Sequence, residues 1–125
     1  TGACLVALGT SVAGLMSNHD EFAGQIDAAA KQVGERLWRL PLDDDYEELI
    51  RSGIADMKNS GGRYGGSITA AKLLQHFVAE KPWVHLDIAG PAFAEKETSY
   101  QDAGGTGFGV RTLVELAKQF MAKPS

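Results

Sequence analysis

Residues 12–34 read VAGLMSNHDEFAGQIDAAAKQVG, and this stretch decides the fold class. Its first six residues form a short apolar run that suits a strand buried on both faces. Asn18 follows, with Glu21 three residues on, which is the spacing of a capping box at a helix start. Phe22, Ile26, Ala29 or Ala30, and Val33 then recur at helical spacing, so one face is expected to pack inward. Gly34 is placed to end that helix in a left-handed conformation. A buried strand feeding an amphipathic helix is the building unit of an α/β fold.

The pattern continues on both sides. Residues 3–8 (ACLVAL) are continuously apolar, and at that length a strand and a short buried helix are both open. Pro41 to Asp45 is expected to open another helix, its three consecutive aspartates complementing the positive end of the dipole. Tyr46, Leu49, Ile50 and Ile54 would be its apolar stripe. Residues 60–66 (SGGRYGG) read as a loop, and Ser67 is placed to cap a helix running to about Ala79. Its inward face would be Ala70, Leu73, Leu74, Phe77 and Val78. Residues 83–89 (WVHLDIA) read as a strand with Val84, Leu86 and Ile88 on one side. A last helix is expected from near Gly107, burying Val110, Leu113, Val114, Ala117 and Phe120. Short apolar strands of this kind need a larger sheet than two of them can make. The reading is therefore an α/β domain, incomplete in this chain, with further strands supplied upstream.

Composition narrows the function. With 44% hydrophobic and 22% charged residues the 125-residue chain is globular, and its net charge of −4 gives no reason to bind nucleic acid or an anionic membrane. No stretch approaches the roughly 20 apolar residues of a membrane helix, and no signal peptide is visible. The single cysteine, Cys4, cannot form an internal disulfide, which fits a reducing compartment. The first residue is Thr1 rather than Met, as expected of a processed or partial polypeptide.

Several residues could carry chemistry. His85 and Asp87 are two apart on one strand and share a face. Two ligands fall short of the three a metal site needs, so a polar pair in a packed interior or at a subunit contact is the preferred reading. The loop over residues 61–66, entering a helix at Ser67 and carrying Arg63, could cradle an anion with its N–H groups. It lacks the lysine of a P-loop and equally suits close backbone packing. Thr1 could be a nucleophile activated by its own amine, although no second catalytic group or oxyanion partner is recognisable. The run from Asp43 to Asp45 suits a solvated helix start, since consecutive helical residues diverge. Cys4 lies in an apolar run and is expected to be buried and inert.

Six ordered blocks carry a more specific signal: TGACLVALG (1–9), GERLWRLPL (34–42), ADMKNSGGRYGG (55–66), SITAA (67–71), WVHLDIAG (83–90) and TGFGVR (106–111). Together they resemble the C-terminal part of the catalytic domain of leucyl aminopeptidases, over essentially the whole chain. The resemblance implies part of a three-layer domain, a mixed β-sheet flanked by helices, in a cytoplasmic homo-hexamer. It implies a two-metal site, zinc or manganese, that removes N-terminal residues from peptides. The family's ligands, a lysine and carboxylates, and its assisting arginine and second lysine lie before the TGA block, partly in an NTDAEGRL-like motif absent here. This chain is therefore expected to hold no metal and to be inactive without the remainder of the polypeptide.

What the resemblance carries over is the substrate cleft. Gly2 corresponds to a backbone contact with substrate. Ala89 and Ala92 correspond to the pocket for the residue removed, and Ser60 to the place of the next side chain. Ser60 departs from the family's larger apolar residue there, and GPAF at 90–93 departs from a GTAW-like pattern. The small Ala92 leaves room for a leucine-sized side chain. Two other hypotheses stand beside this one: a non-catalytic oligomerisation or binding module of the same fold, and an N-terminal-threonine hydrolase.

Overall fold

The computed structural model describes residues 1–122. Its elements in order are α1 (Gly2–Leu8), β1 (Ala13–Ser17), α2 (Asp20–Val33), β2 (Leu37–Arg39), a 3₁₀ helix (Asp44–Ile50), α3 (Gly66–Gln75), β3 (Val84–Asp87), β4 (Phe93–Ala94), β5 (Gly104–Gly105) and α4 (Val110–Met121). The main sheet is mixed, in the order β2-β1-β3, with β1 parallel to β2 and antiparallel to β3. All five residues of β1 are buried, as its apolar run requires for the central strand.

The two faces of β1 are covered by different helices, giving three layers. Leu15 packs with Ala23, Ile26 and Ala29 of α2 and Leu116 of α4, and with Leu37, Val84 and Leu86 from the flanking strands. Phe22 meets Phe120 edge to face at 6.5 Å, joining α2 to α4. On the other face Gly14 lies under α1. A Cβ at Gly14 would stand 3.0 Å from the sulfur of Cys4, so the missing side chain is what lets α1 approach the sheet. Cys4 is fully buried there.

Several expectations need correction. The 3–8 run is a helix, capped by the Thr1 hydroxyl, which accepts from the Cys4 N–H at 3.1 Å. Asn18 is not the cap of α2. His19 is, its Nδ1 accepting from the Phe22 N–H at 3.1 Å. Asn18 instead accepts from the Trp83 N–H and donates to the Lys81 carbonyl, pinning the entry to β3. Gly34 ends α2 left-handed, as expected. Pro41 lies outside the next helix, which is 3₁₀ and buries only Ile50, while Ile54 is fully exposed. The third helix stops at Gln75, before a positive φ at Ala79. It buries Ser67, Ile68, Thr69, Ala71 and Lys72, and Ser67 is not its cap. The buried Lys72 reaches out to Asp44 of the 3₁₀ helix at 3.1 Å. In α4 Thr112 and Leu116 are the buried residues, and Val110, Leu113, Val114 and Phe120 are more than half exposed.

Candidate substrate cleft

The end of β3 is the point where distant segments meet. Asp87 closes the strand, pairs across β1 with Gly14, and points toward α1. Its side chain is 2% exposed. Oδ1 accepts from the Thr1 nitrogen at 2.6 Å and from the Ala89 N–H at 3.3 Å, and Oδ2 accepts from the Thr1 hydroxyl at 2.6 Å. Burial alone would push this carboxyl upward. The bonds from the Thr1 amine and hydroxyl and from Ala89 outweigh burial and hold it below the usual carboxylate range. The Thr1 hydroxyl also lies 3.2 Å from the hydroxyl of Ser67, in the first turn of α3.

His85 shares this face of the strand, as its spacing requires, and no bond joins it to Asp87. Its ring stacks on Trp83 at 5.9 Å and 16°. Burial pushes its pKa down, only partly offset by the charge of Asp87. His85 and Asp87 are thus engaged by separate partners, Trp83 and the Thr1 and Ala89 groups, which their spacing could not name. Cys4 is buried as expected, and burial and the nearby Asp87 charge raise its pKa.

Two of the four cleft positions come together here. Gly2 directly follows Thr1 and is exposed at the start of α1, and Ala89 donates to the carboxylate that holds Thr1. Ala92 lies three residues on, half-buried. Its N–H donates to the Ile88 carbonyl at 2.9 Å and its carbonyl accepts from Thr106 at 3.0 Å. The backbone of this turn runs hard against the end of α1, since a Cβ at Gly90 would fall 2.1 Å from the Gly9 carbonyl oxygen. Ser60 sits apart, exposed on the loop before α3, its hydroxyl accepting from the Gly62 N–H at 3.4 Å. Arg63 is exposed on the same loop, while Ser67 is buried against Thr1 rather than open to an anion.

Beyond the turn a groove of about 970 Å³ runs between Pro91, Phe93, Tyr100, Phe108, Arg36 and Arg111. Among the described residues no group of three or more His, Cys, Asp or Glu side chains could hold a metal ion. The donor set of this segment therefore does not fit a metal centre. No helix among these residues is long and apolar enough to cross a membrane.

What sequence reading missed was the Thr1, Ser67 and Asp87 cluster. Asp87 was weighed only with His85, because its actual partner is 86 positions away. No local spacing carries that signal.

Comparison with known proteins identifies the family. The chain is 60% identical over 114 residues to a probable cytosol aminopeptidase of Cyanothece sp., which covers 91% of this chain and 23% of that protein. It is 58% identical over 121 residues to the one from Chlorobium phaeobacteroides, covering 96% and 24%. Among solved structures, the bottromycin maturation enzyme BotP superposes with a TM-score of 0.92 at 41% identity, covering 98% of this chain and 28% of that one. A mutant of tomato leucine aminopeptidase superposes at 0.88 with 45% identity, covering 95% and 23%. The chain thus spans about a quarter of the length of the proteins it matches. Residues 1–114 match the description "Cytosol aminopeptidase family, catalytic domain", and the chain belongs to that family.

Proposed function

We propose that this segment forms one side of the substrate cleft of a metallo-aminopeptidase that removes N-terminal residues, leucine among them, from peptides. The observation that carries the reading is the match of residues 1–114 to the family's catalytic domain. The convergence of Ala89 and of Thr1, the neighbour of Gly2, on Asp87 supports it, because cleft residues from distant segments must share one rigid frame. Loops leaving the ends of strands are where α/β proteins build such clefts.

The cofactors proposed for the full polypeptide are two divalent ions, zinc or manganese. A solved structure of BotP in complex with Mn, similar to this chain with a TM-score of 0.90, supports the choice of metal. Such ions polarise the scissile carbonyl and activate water. Segments outside these residues would hold them, since the donors here do not fit. The role left to this chain is to bind and orient: Gly2 by its backbone, Ala89 and Ala92 beside the side chain removed, and Ser60 beside the next one. The remainder of the polypeptide is its first partner, in a cytoplasmic homo-hexamer. The N-terminal-threonine alternative gains nothing from the geometry, because the Thr1 nitrogen and hydroxyl both donate to Asp87.

The test is hydrolysis of leucine p-nitroanilide by the full polypeptide with manganese or zinc added. Activity abolished by a chelator and restored by metal is expected. No hydrolysis with either metal, or hydrolysis indifferent to the chelator, contradicts the reading.

A further inference from the structure

We propose that Asp87 is a positioning residue for the cleft, its buried carboxylate fixing the start of α1, which carries Gly2, against the end of β3, which carries Ala89. The inference rests on the aminopeptidase reading above. It concerns a residue that touches neither substrate nor metal in that reading.

A carboxylate accepts at both oxygens and donates at neither. Here one oxygen takes the Ala89 N–H and the other takes the Thr1 hydroxyl, and neither bond depends on a free amine at Thr1. One side chain therefore links the residue before Gly2 to the backbone of Ala89 itself. The grip is completed three residues later, where Gly90 packs against the Gly9 carbonyl at the other end of α1. Both ends of the seven-residue helix are thus located by residues of one strand and its following turn. The strand is located in turn by its register on β1, with Asp87 opposite Gly14. The Thr1 hydroxyl passes the same constraint to α3 through Ser67. Charge and shape are both needed, because the Thr1 hydroxyl and the Ala89 N–H both donate to Asp87. An amide of the same volume presents its NH₂ to one of them and breaks part of the frame.

A misplacement of about 1 Å in a catalytic cleft costs on the order of 100-fold in rate. The experiment compares Asp87→Asn, Thr1→Ser and Thr1→Val with wild type in the full polypeptide. It measures kcat and KM for leucine p-nitroanilide, metal content and the melting temperature. The expected result is a fall in kcat/KM of about 10- to 100-fold for Asp87→Asn and Thr1→Val with metal content unchanged. Thr1→Ser, which keeps the hydroxyl, is expected to stay within about threefold of wild type. A lower melting temperature with wild-type kcat/KM per folded molecule would make Asp87 a purely structural residue and overturn the proposal. If Asp87→Asn does not fold, the serine and valine pair decides alone: equal activity of the two overturns it. An inactive wild type is a separate outcome, seen in the control, and removes the aminopeptidase reading together with this inference.

Discussion

Glu35 and Thr112 stand 77 positions apart and are joined by a buried carboxylate, Glu35 Oε2 accepting both the N–H of Thr112 at 3.2 Å and its hydroxyl. Oε1 accepts from the Gly109 N–H at 3.0 Å, and the Arg111 Nε lies 3.6 Å away. The first turn of α4 has no cap of its own, since its N-cap is a glycine. Glu35, delivered by the left-handed turn at Gly34, satisfies those free N–H groups and faces the positive end of the helix dipole. Removing the hydroxyl with Thr112→Val should cost about 1–2 kcal/mol, and Glu35→Ala about 2–4 kcal/mol, because it leaves several buried donors unpaired. Denaturant unfolding of the full polypeptide and its variants checks both values. Equal stability of Glu35→Ala and wild type would show that α4 is capped from elsewhere.

Acid should weaken this part of the fold in two steps. His85 is held below the ordinary histidine value of 6.5, chiefly by burial. A histidine shifted downward contributes stability above the unfolded value, and that contribution is lost as the pH falls below 6.5 through the folded value. Glu35 is held below its ordinary 4.5, burial being outweighed by its hydrogen bonds from Thr112 and Gly109. Its contribution is present above that value and lost as the pH falls through the lower folded one. Unfolding midpoints measured from pH 7 to pH 3 should therefore decline below 6.5 and again below 4.5. His85→Gln should remove the first decline and leave the second. A first decline unchanged in His85→Gln would assign it to another group.

The 125-residue chain by itself should self-associate and bind zinc or manganese no more tightly than a surface histidine does. Its outer strands β2 and β3 are open edges, which template pairing with other chains. Val6, Ile54, Phe77 and Met121 are at least 75% exposed, and Val110, Leu113 and Val114 add an apolar stripe on α4. Sedimentation and metal titration of the purified chain check this. A monomer with a sharp unfolding transition, or stoichiometric tight metal binding, would contradict it.

The sequence was most legible where physics is local. The buried run of residues 13–17, the periodic face of α2 and the left-handed Gly34 are each decided by neighbours within one or two turns. The strand at Leu37–Arg39 was missed because three residues, two of them mostly exposed, carry no usable periodicity. The apolar stripes read for the 3₁₀ helix and α4 held only in part, Ile50 being buried and Phe120 packing on Phe22, since periodicity cannot say which neighbour a face meets. Ile54 and Val110 are apolar and exposed within the described residues. The cleft positions Gly2, Ser60, Ala89 and Ala92 came from resemblance alone. Only Ala89 and Thr1, the neighbour of Gly2, are visibly tied together, through Asp87, which no local rule singled out.

The central claim is that the turn after β3 lines the pocket for the residue removed, and Ala92→Trp tests it most directly. Ala92 is half-buried in a turn whose backbone is held by bonds to Ile88 and Thr106. An indole there would take the space of a leucine side chain and leave an alanine side chain accommodated. Each lost methylene contact in such a pocket is worth on the order of 1–3 kcal/mol, or roughly 10- to 200-fold in specificity. The measurement is kcat/KM of the full polypeptide for leucine and alanine p-nitroanilides, wild type against variant. The account predicts a fall for leucine at least tenfold greater than for alanine, on the order set by that contact loss. An equal fall for both substrates, or none for either, would contradict it.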